Sequence, residues 1–208
     1  MKFKFLFFVA ISAMFVACKS DQNSGPLPYL GKQKMVDGEA TKHIIPDWEY
    51  VNQDSLSVSN KDLTPYIYVA DFFFRSCPTI CPRVMKEMKE IYKEFEDDQR
   101  VKLVSFTIDP KRDTPENLKS YATNLQVDTD KWWFIHTEKE SIYDLANEYF
   151  VVAYEDKDIP GGFDHSGKII LVDREGHVRS FSEGTEPETT PKLIADIKKL
   201  LNEEFPQN

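Results

Sequence analysis

The sequence predicts an α/β fold: a central mixed sheet flanked by helices, with a strand or hairpin added on its N-terminal side. Three features predict it. Residues 66–74, YIYVADFFF, form a nearly continuous apolar and aromatic run, as expected of a strand covered on both faces. From there to about residue 150, strand-like runs alternate with stretches of helical periodicity. Two further strand-like runs then flank the turn DREG, and an amphipathic stretch follows near the C-terminus.

Each element has its own signal. The stretch 44–58 supplies the N-terminal strand or hairpin, and 66–74 the first core strand. Beyond it, Val84, Met88, Ile91, Tyr92 and Phe95 recur at helical spacing. VKLVSFTID (101–109) is a second strand. DTPENLKSYATNL starts a helix, with Asp113 or Thr114 as cap and Pro115 in the first turn, where a missing N–H costs nothing. WWFIH (132–136) is a short strand, and Thr137 opens the helix EKESIYDLANEYF. KIILVD and HVRSF pair as a hairpin around DREG. TTPKLIADIKKLLNEEF closes the domain as an amphipathic helix begun at Pro191. Alternating units, then a hairpin and a terminal helix, make the expected architecture a thioredoxin-like sandwich.

The chain of 208 residues, 41% hydrophobic and 13% aromatic, suits one globular domain over 43–208 with an N-terminal addition. That addition begins with the basic MKFK and the apolar FLFFVAISAMFVA, 13 residues and too short to span a bilayer. It reaches Cys18 behind Val16 and Ala17. Residues 1–17 therefore resemble a bacterial lipoprotein signal peptide, cut before a cysteine that takes lipid, although Phe15 stands where such boxes usually carry leucine. Residues 18–42 are then a polar, Gly- and Pro-containing flexible tether reaching about 25–30 Å. The expectation is an exported domain, lipid-anchored to a bacterial membrane and facing the periplasm or cell exterior. Loss of Lys2 and Lys4 would move the net charge from −9 to −11. So acidic a surface argues against nucleic acid and anionic lipid as charge-recognised partners.

Three cysteines is an odd number for an exported protein, and lipid on Cys18 would leave Cys77 and Cys81 as the only pair. They lie in CPTIC, between the first core strand and its helix. A helix beginning at Pro78 or Thr79 would put Cys77 at its entrance and Cys81 in its first turn, both sulfurs on one side. Free amides and the positive end of the dipole there favour thiolates. A redox couple, a metal clamp and a structural disulfide all remain open on this spacing. Of four histidines, His43 falls at the tether, His136 ends a strand and His177 follows a turn, all positions for solvated or core-satisfied rings. His165 lies in the glycine-rich PGGFDHSGKIILVD, in a loop that a thioredoxin-like sandwich brings toward the first helix entrance. Asp164 beside it is expected to orient the imidazole.

FRSCPTICP, TIDPKRDTPENLKSYA and DHSGKIILVDREGHV resemble, in order, the signature segments of the Sco/SenC family, and the likeness covers roughly residues 45–203. The resemblance implies a membrane-tethered, thioredoxin-like copper protein that helps assemble the CuA centre of cytochrome c oxidase. Its copper ligands would be Cys77, Cys81 and His165. It implies as partners the CuA-bearing oxidase subunit, a copper donor and a thiol reductant. Thiolates favour Cu(I), and an imidazole adds affinity for Cu(II). Asp109 and Asp113, in DPKRDTP, are assigned to structure.

Asp71 departs from that family, which commonly has an aromatic or apolar residue there. Thioredoxins carry a buried aspartate at this offset from their first active cysteine. Asp71 is then either a general base with a raised pKa or a hydrogen-bonded, partly solvated carboxyl near the sheet edge. Arg75, where many relatives have threonine, could pair with a carboxylate or steer an acidic partner. The alternative function is thiol–disulfide exchange through Cys77 and Cys81. Against it stand three intervening residues rather than two, and no proline before KIILVD.

Overall fold

The computed structural model describes residues 25–206, apart from 33, 37, 38 and 157. The expected signal peptide, Cys18 and the start of the tether lie outside the described residues. No helix among them is long and apolar enough to cross a membrane.

The chain runs through β1 (Lys34–Val36), β2 (Glu39–Thr41), β3 (Glu49–Asn52), β4 (Ser57–Ser59) and β5 (Ile67–Phe73) into α1 (Cys81–Phe95). It continues through β6 (Val101–Thr107), α2 (Pro115–Leu125), β7 (Trp132–His136) and α3 (Lys139–Glu148). The last part holds β8 (Ala153–Glu155), β9 (Phe163–His165), β10 (Lys168–Val172), β11 (Val178–Glu183) and α4 (Thr190–Glu204). Seven strands form one mixed sheet in the order β11-β10-β5-β6-β7-β3-β4. Its centre, β5-β6-β7, is parallel, and β10 joins β5 antiparallel. β3 and β4 form the N-terminal hairpin, antiparallel on the far side of β7. The sheet and its flanking helices make a thioredoxin-like α/β sandwich.

Every residue of β5 is buried, because helices cover both faces of a central parallel strand. The two faces hold separate aromatic layers. Phe72 and Phe106 stack at 5.1 Å beneath Tyr149, just beyond α3. On the other face Phe73 packs on Tyr121 of α2, and Trp132 on Tyr92 of α1. Asp71 shares this second face with Phe73.

Helix starts differ from the sequence reading where proline or competing hydrogen bonds decide them. α1 begins at Cys81, not at Pro78 or Thr79. An earlier start would place Pro82 deep enough for its ring to clash with the carbonyl four residues back, whereas in the first turn it is tolerated. α2 starts at Pro115 as expected, and of its two cap candidates Thr114 is the one that caps it, accepting from the Asn117 amide at 3.4 Å. Thr137 does not open α3; its hydroxyl donates to the Thr107 carbonyl at 2.6 Å, and the helix starts two residues later.

The described part of the expected tether is partly bound to the domain. Leu27 is buried, its amide donates to Glu203 at 2.8 Å, and the Leu30 amide donates to the Val178 carbonyl at 2.8 Å. Arg179 holds this stretch through the carbonyls of Leu27 and Pro28. The same buried guanidinium pairs with Asp173 and Glu203 at 3.1 and 2.9 Å.

Candidate metal centre

The site stands where β5 hands the chain to α1. Cys77 lies in the connecting turn, its amide donating to the Phe74 carbonyl at 3.2 Å. The Cys81 amide, free as the first of a helix, donates to Cys77 Sγ at 3.4 Å. Thr79 Oγ1 lies 3.6 Å from the same sulfur. Both cysteines are buried and unbridged.

His165 arrives from the opposite side. It ends β9, which pairs with β8 in a two-stranded ribbon, Ala153 opposite His165. Phe74 meets its ring edge-on, centroids 5.8 Å apart. Two glycines permit the approach. Gly161 sits at φ +96° with no room for a Cβ beside the Phe74 ring. At Gly167 a Cβ would fall 2.9 Å from Val84 Cγ2 and 3.0 Å from Thr185 Cγ2, so only glycine lets this loop lie against α1.

His165 Nε2 thereby comes within 3.1 Å of Cys81 Sγ, and one ligand atom each from Cys77, Cys81 and His165 lie within 4.8 Å of one another. Ligands bonded at about 2.0–2.3 Å on either side of one ion are separated by up to about 4.6 Å, so this triangle is the size of a coordination shell. All three residues are at least nine-tenths buried, at 8%, 4% and 5% exposure. The Nδ1 of His165 has no partner among the described residues.

The two thiols share a proton. Cys77 is held well below the ordinary thiol range, first by the hydrogen bond it takes from Cys81 and then by His165 and backbone amides. Cys81 is pushed up by giving that bond and by burial. A thiolate is thus ready at Cys77, and metal capture has to displace the Cys81 proton.

The remaining site expectations divide. Asp164 does not orient the imidazole. Alternation along β9 turns it outward, where its Oδ2 accepts from the Tyr154 hydroxyl at 2.8 Å. His43 and His136 bind the carbonyls of Glu148 and Asp113, and His177 that of His43. Asp113 is structural, accepting from Thr107 Oγ1 at 2.7 Å and the Arg75 amide at 3.0 Å. Arg75 pairs with it at 3.9 Å. Asp109 accepts from Arg112 at 2.8 Å.

Asp71 is fully buried on a central strand, not near an edge. Its Oδ1 accepts from the Ser105 hydroxyl, which in turn accepts from Trp132 Nε1 at 2.8 Å. Its Oδ2 has no partner among the described residues. Burial pushes its carboxyl up to about 7, against the pull of the Ser105 hydrogen bond and, less, of His165. Sequence reasoning could not supply Ser105 and Trp132, because the pleat of two neighbouring strands, not local sequence, brings them to Asp71.

Fold and site together define a thioredoxin-like protein with a buried Cys–Cys–His cluster able to hold a soft metal ion. The family model for SCO1/SenC matches residues 36–202, and the chain belongs to that family. It is similar to a SCO1/SenC family lipoprotein from Bacillus anthracis, 28% identical, with a TM-score of 0.69 over 76% of this chain and 94% of that one. BsSco, described as a member of the Sco family of cytochrome c oxidase assembly proteins with a disulfide switch, is 27% identical, with a TM-score of 0.66 over 76% and 93%. ScoI of Bradyrhizobium japonicum with copper bound is 25% identical, with a TM-score of 0.63 over 76% and 99%.

Proposed function

We propose that this protein is a membrane-tethered copper chaperone that holds copper through Cys77, Cys81 and His165 and delivers it to the CuA site of cytochrome c oxidase. The observation that carries the reading is the convergence of two sulfurs and one imidazole nitrogen within 4.8 Å. Two thiolates suit Cu(I) and the imidazole extends the set to Cu(II). The copper-bound relative and the oxidase-assembly relative support cargo and destination. Three ligands, with no fourth His, Cys, Asp or Glu grouped with them among the described residues, suit an ion that must be surrendered rather than a closed structural zinc site. Lipid on Cys18 would hold the domain at the membrane, as the lipoprotein relative suggests. Copper reaches the site from a separate donor, and a thiol reductant keeps the pair open.

Copper titration of the reduced protein against a chelator tests this. The parent should take up one ion and His165→Ala should bind it at least about tenfold more weakly, the scale seen when a ligand shell is disturbed. Equal affinity in parent and variant would remove the histidine from the site.

Asp71 favours a second reading, thiol–disulfide exchange. The Cys77 thiolate would attack a client disulfide, breaking that S–S bond and forming a mixed disulfide. Cys81, its proton passed to a carboxylate such as Asp71, would attack the Cys77 sulfur and release the client's second thiolate. Two electrons pass to the client, and an external thiol restores the pair. Metal-free disulfide reduction with the same pH profile in Asp71→Asn would eliminate the carboxyl from this chemistry.

A further inference from the structure

A groove of about 460 Å³ opens from the cysteines along α1 and toward α2. Its floor is apolar, with Met85, Tyr121 and Leu125. Its rim is not what the chain's composition suggests. Arg75, Lys86, Lys89 and Lys93 line it, on a protein of net charge −9. Lys86, Lys89 and Lys93 recur at three- and four-residue spacing, so they stand along one stripe of α1. The carboxylates that face these cations are Glu90, 2.9 Å from Lys93, and Asp113, paired with Arg75. Lys89 also donates to the Leu125 carbonyl. Four cations against two carboxylates leave the rim with more positive than negative side chains.

We propose that this groove is the docking surface for an acidic, partly apolar segment of the protein with which the cysteines exchange their cargo. The inference rests on the chaperone reading, which requires a protein partner at this mouth, and adds where that partner lies and what charge it carries. A local positive field on an acidic body guides a negatively charged segment to the groove. The apolar floor gives that segment something to bury once it arrives, and Cys77 and Cys81 stand at the groove's end. A basic rim also attracts an anionic membrane, but the apolar lining beside the cysteines fits a side-chain-bearing segment better.

The test uses the reduced, metal-free protein and a fluorescently labelled glutamate-rich peptide with a central Leu-Phe pair, compared with its lysine-rich counterpart. Anisotropy should show the acidic peptide binding in preference, with affinity falling as salt rises. K86E/K93E should weaken it by about tenfold, the sum expected of a few exposed charge pairs. Equal binding of the two peptides, or no change in K86E/K93E, would overturn the proposal. So would loss in K86E/K93E of binding to phosphatidylglycerol vesicles rather than to the peptide. Copper titration of K86E/K93E separates the two readings: it should match the parent, so a failed docking surface leaves the metal centre standing, and a failed metal centre leaves the peptide result readable.

Discussion

Asp71→Asn should make the protein more stable at alkaline pH and, by the cost of one unpartnered buried N–H, about 1–3 kcal/mol less stable in acid. The carboxyl has an ordinary value of 3.8 and is raised to about 7 in the folded protein, chiefly by burial. Below the unfolded value it is neutral in both states and costs nothing. As pH rises from about 4 to 7, the unfolded chain ionises while the folded one holds its proton, and stability drains away. Above the folded value the penalty is constant. A rise of this size is worth about 4 kcal/mol. Asparagine keeps an oxygen for Ser105 but puts an amide N–H where Oδ2 has no partner, returning about 1–3 kcal/mol of that gain. The net expectation is that Asp71→Asn is about 1–3 kcal/mol more stable than the parent at pH 8, with a flatter slope between pH 4 and 7. Urea unfolding of both reduced proteins across that range measures it, with unchanged m-values showing that the unfolded state is the same. Parallel curves for parent and variant would refute the argument, since they would mean that the carboxyl does not resist ionisation.

Two further outcomes follow from packing. Gly167→Ala should lower copper affinity with both cysteines and His165 intact, because its Cβ meets Val84 and Thr185 at 2.9 and 3.0 Å and pushes the histidine loop off α1. Affinity equal to the parent's would show that the loop yields elsewhere. Arg179→Ala should cost about 3–5 kcal/mol, because it leaves Asp173 charged in the interior, and should expose residues 27–30 to protease. A loss under about 1 kcal/mol would sink that assignment.

The sequence made the core legible where one signal dominated. YIYVADFFF, at both-face burial, and the hairpin around DREG fall where their apolar patterns put them. The extra hairpin near residues 44–58 is present as β3 and β4. Three-residue strands such as β8 and β9 carry too little pattern to show, yet β9 is what delivers His165. The site's membership was readable from motifs, its environment was not. Asp164 turns away from the imidazole because adjacent strand residues face opposite sides, which follows only once the loop is known to be a strand. Asp71 depended on Ser105, 34 residues away, and on which strand lay beside it. The packed part of the tether depended on Arg179, whose single buried charge recruits backbone carbonyls that no local signal marks.

X-ray absorption at the copper edge of the loaded, reduced protein tests the ligand set most directly. Two sulfur scatterers and one imidazole nitrogen are expected around one ion, with the nitrogen lost in His165→Ala. A shell lacking either sulfur, or an imidazole signal that survives that substitution, would contradict the assignment.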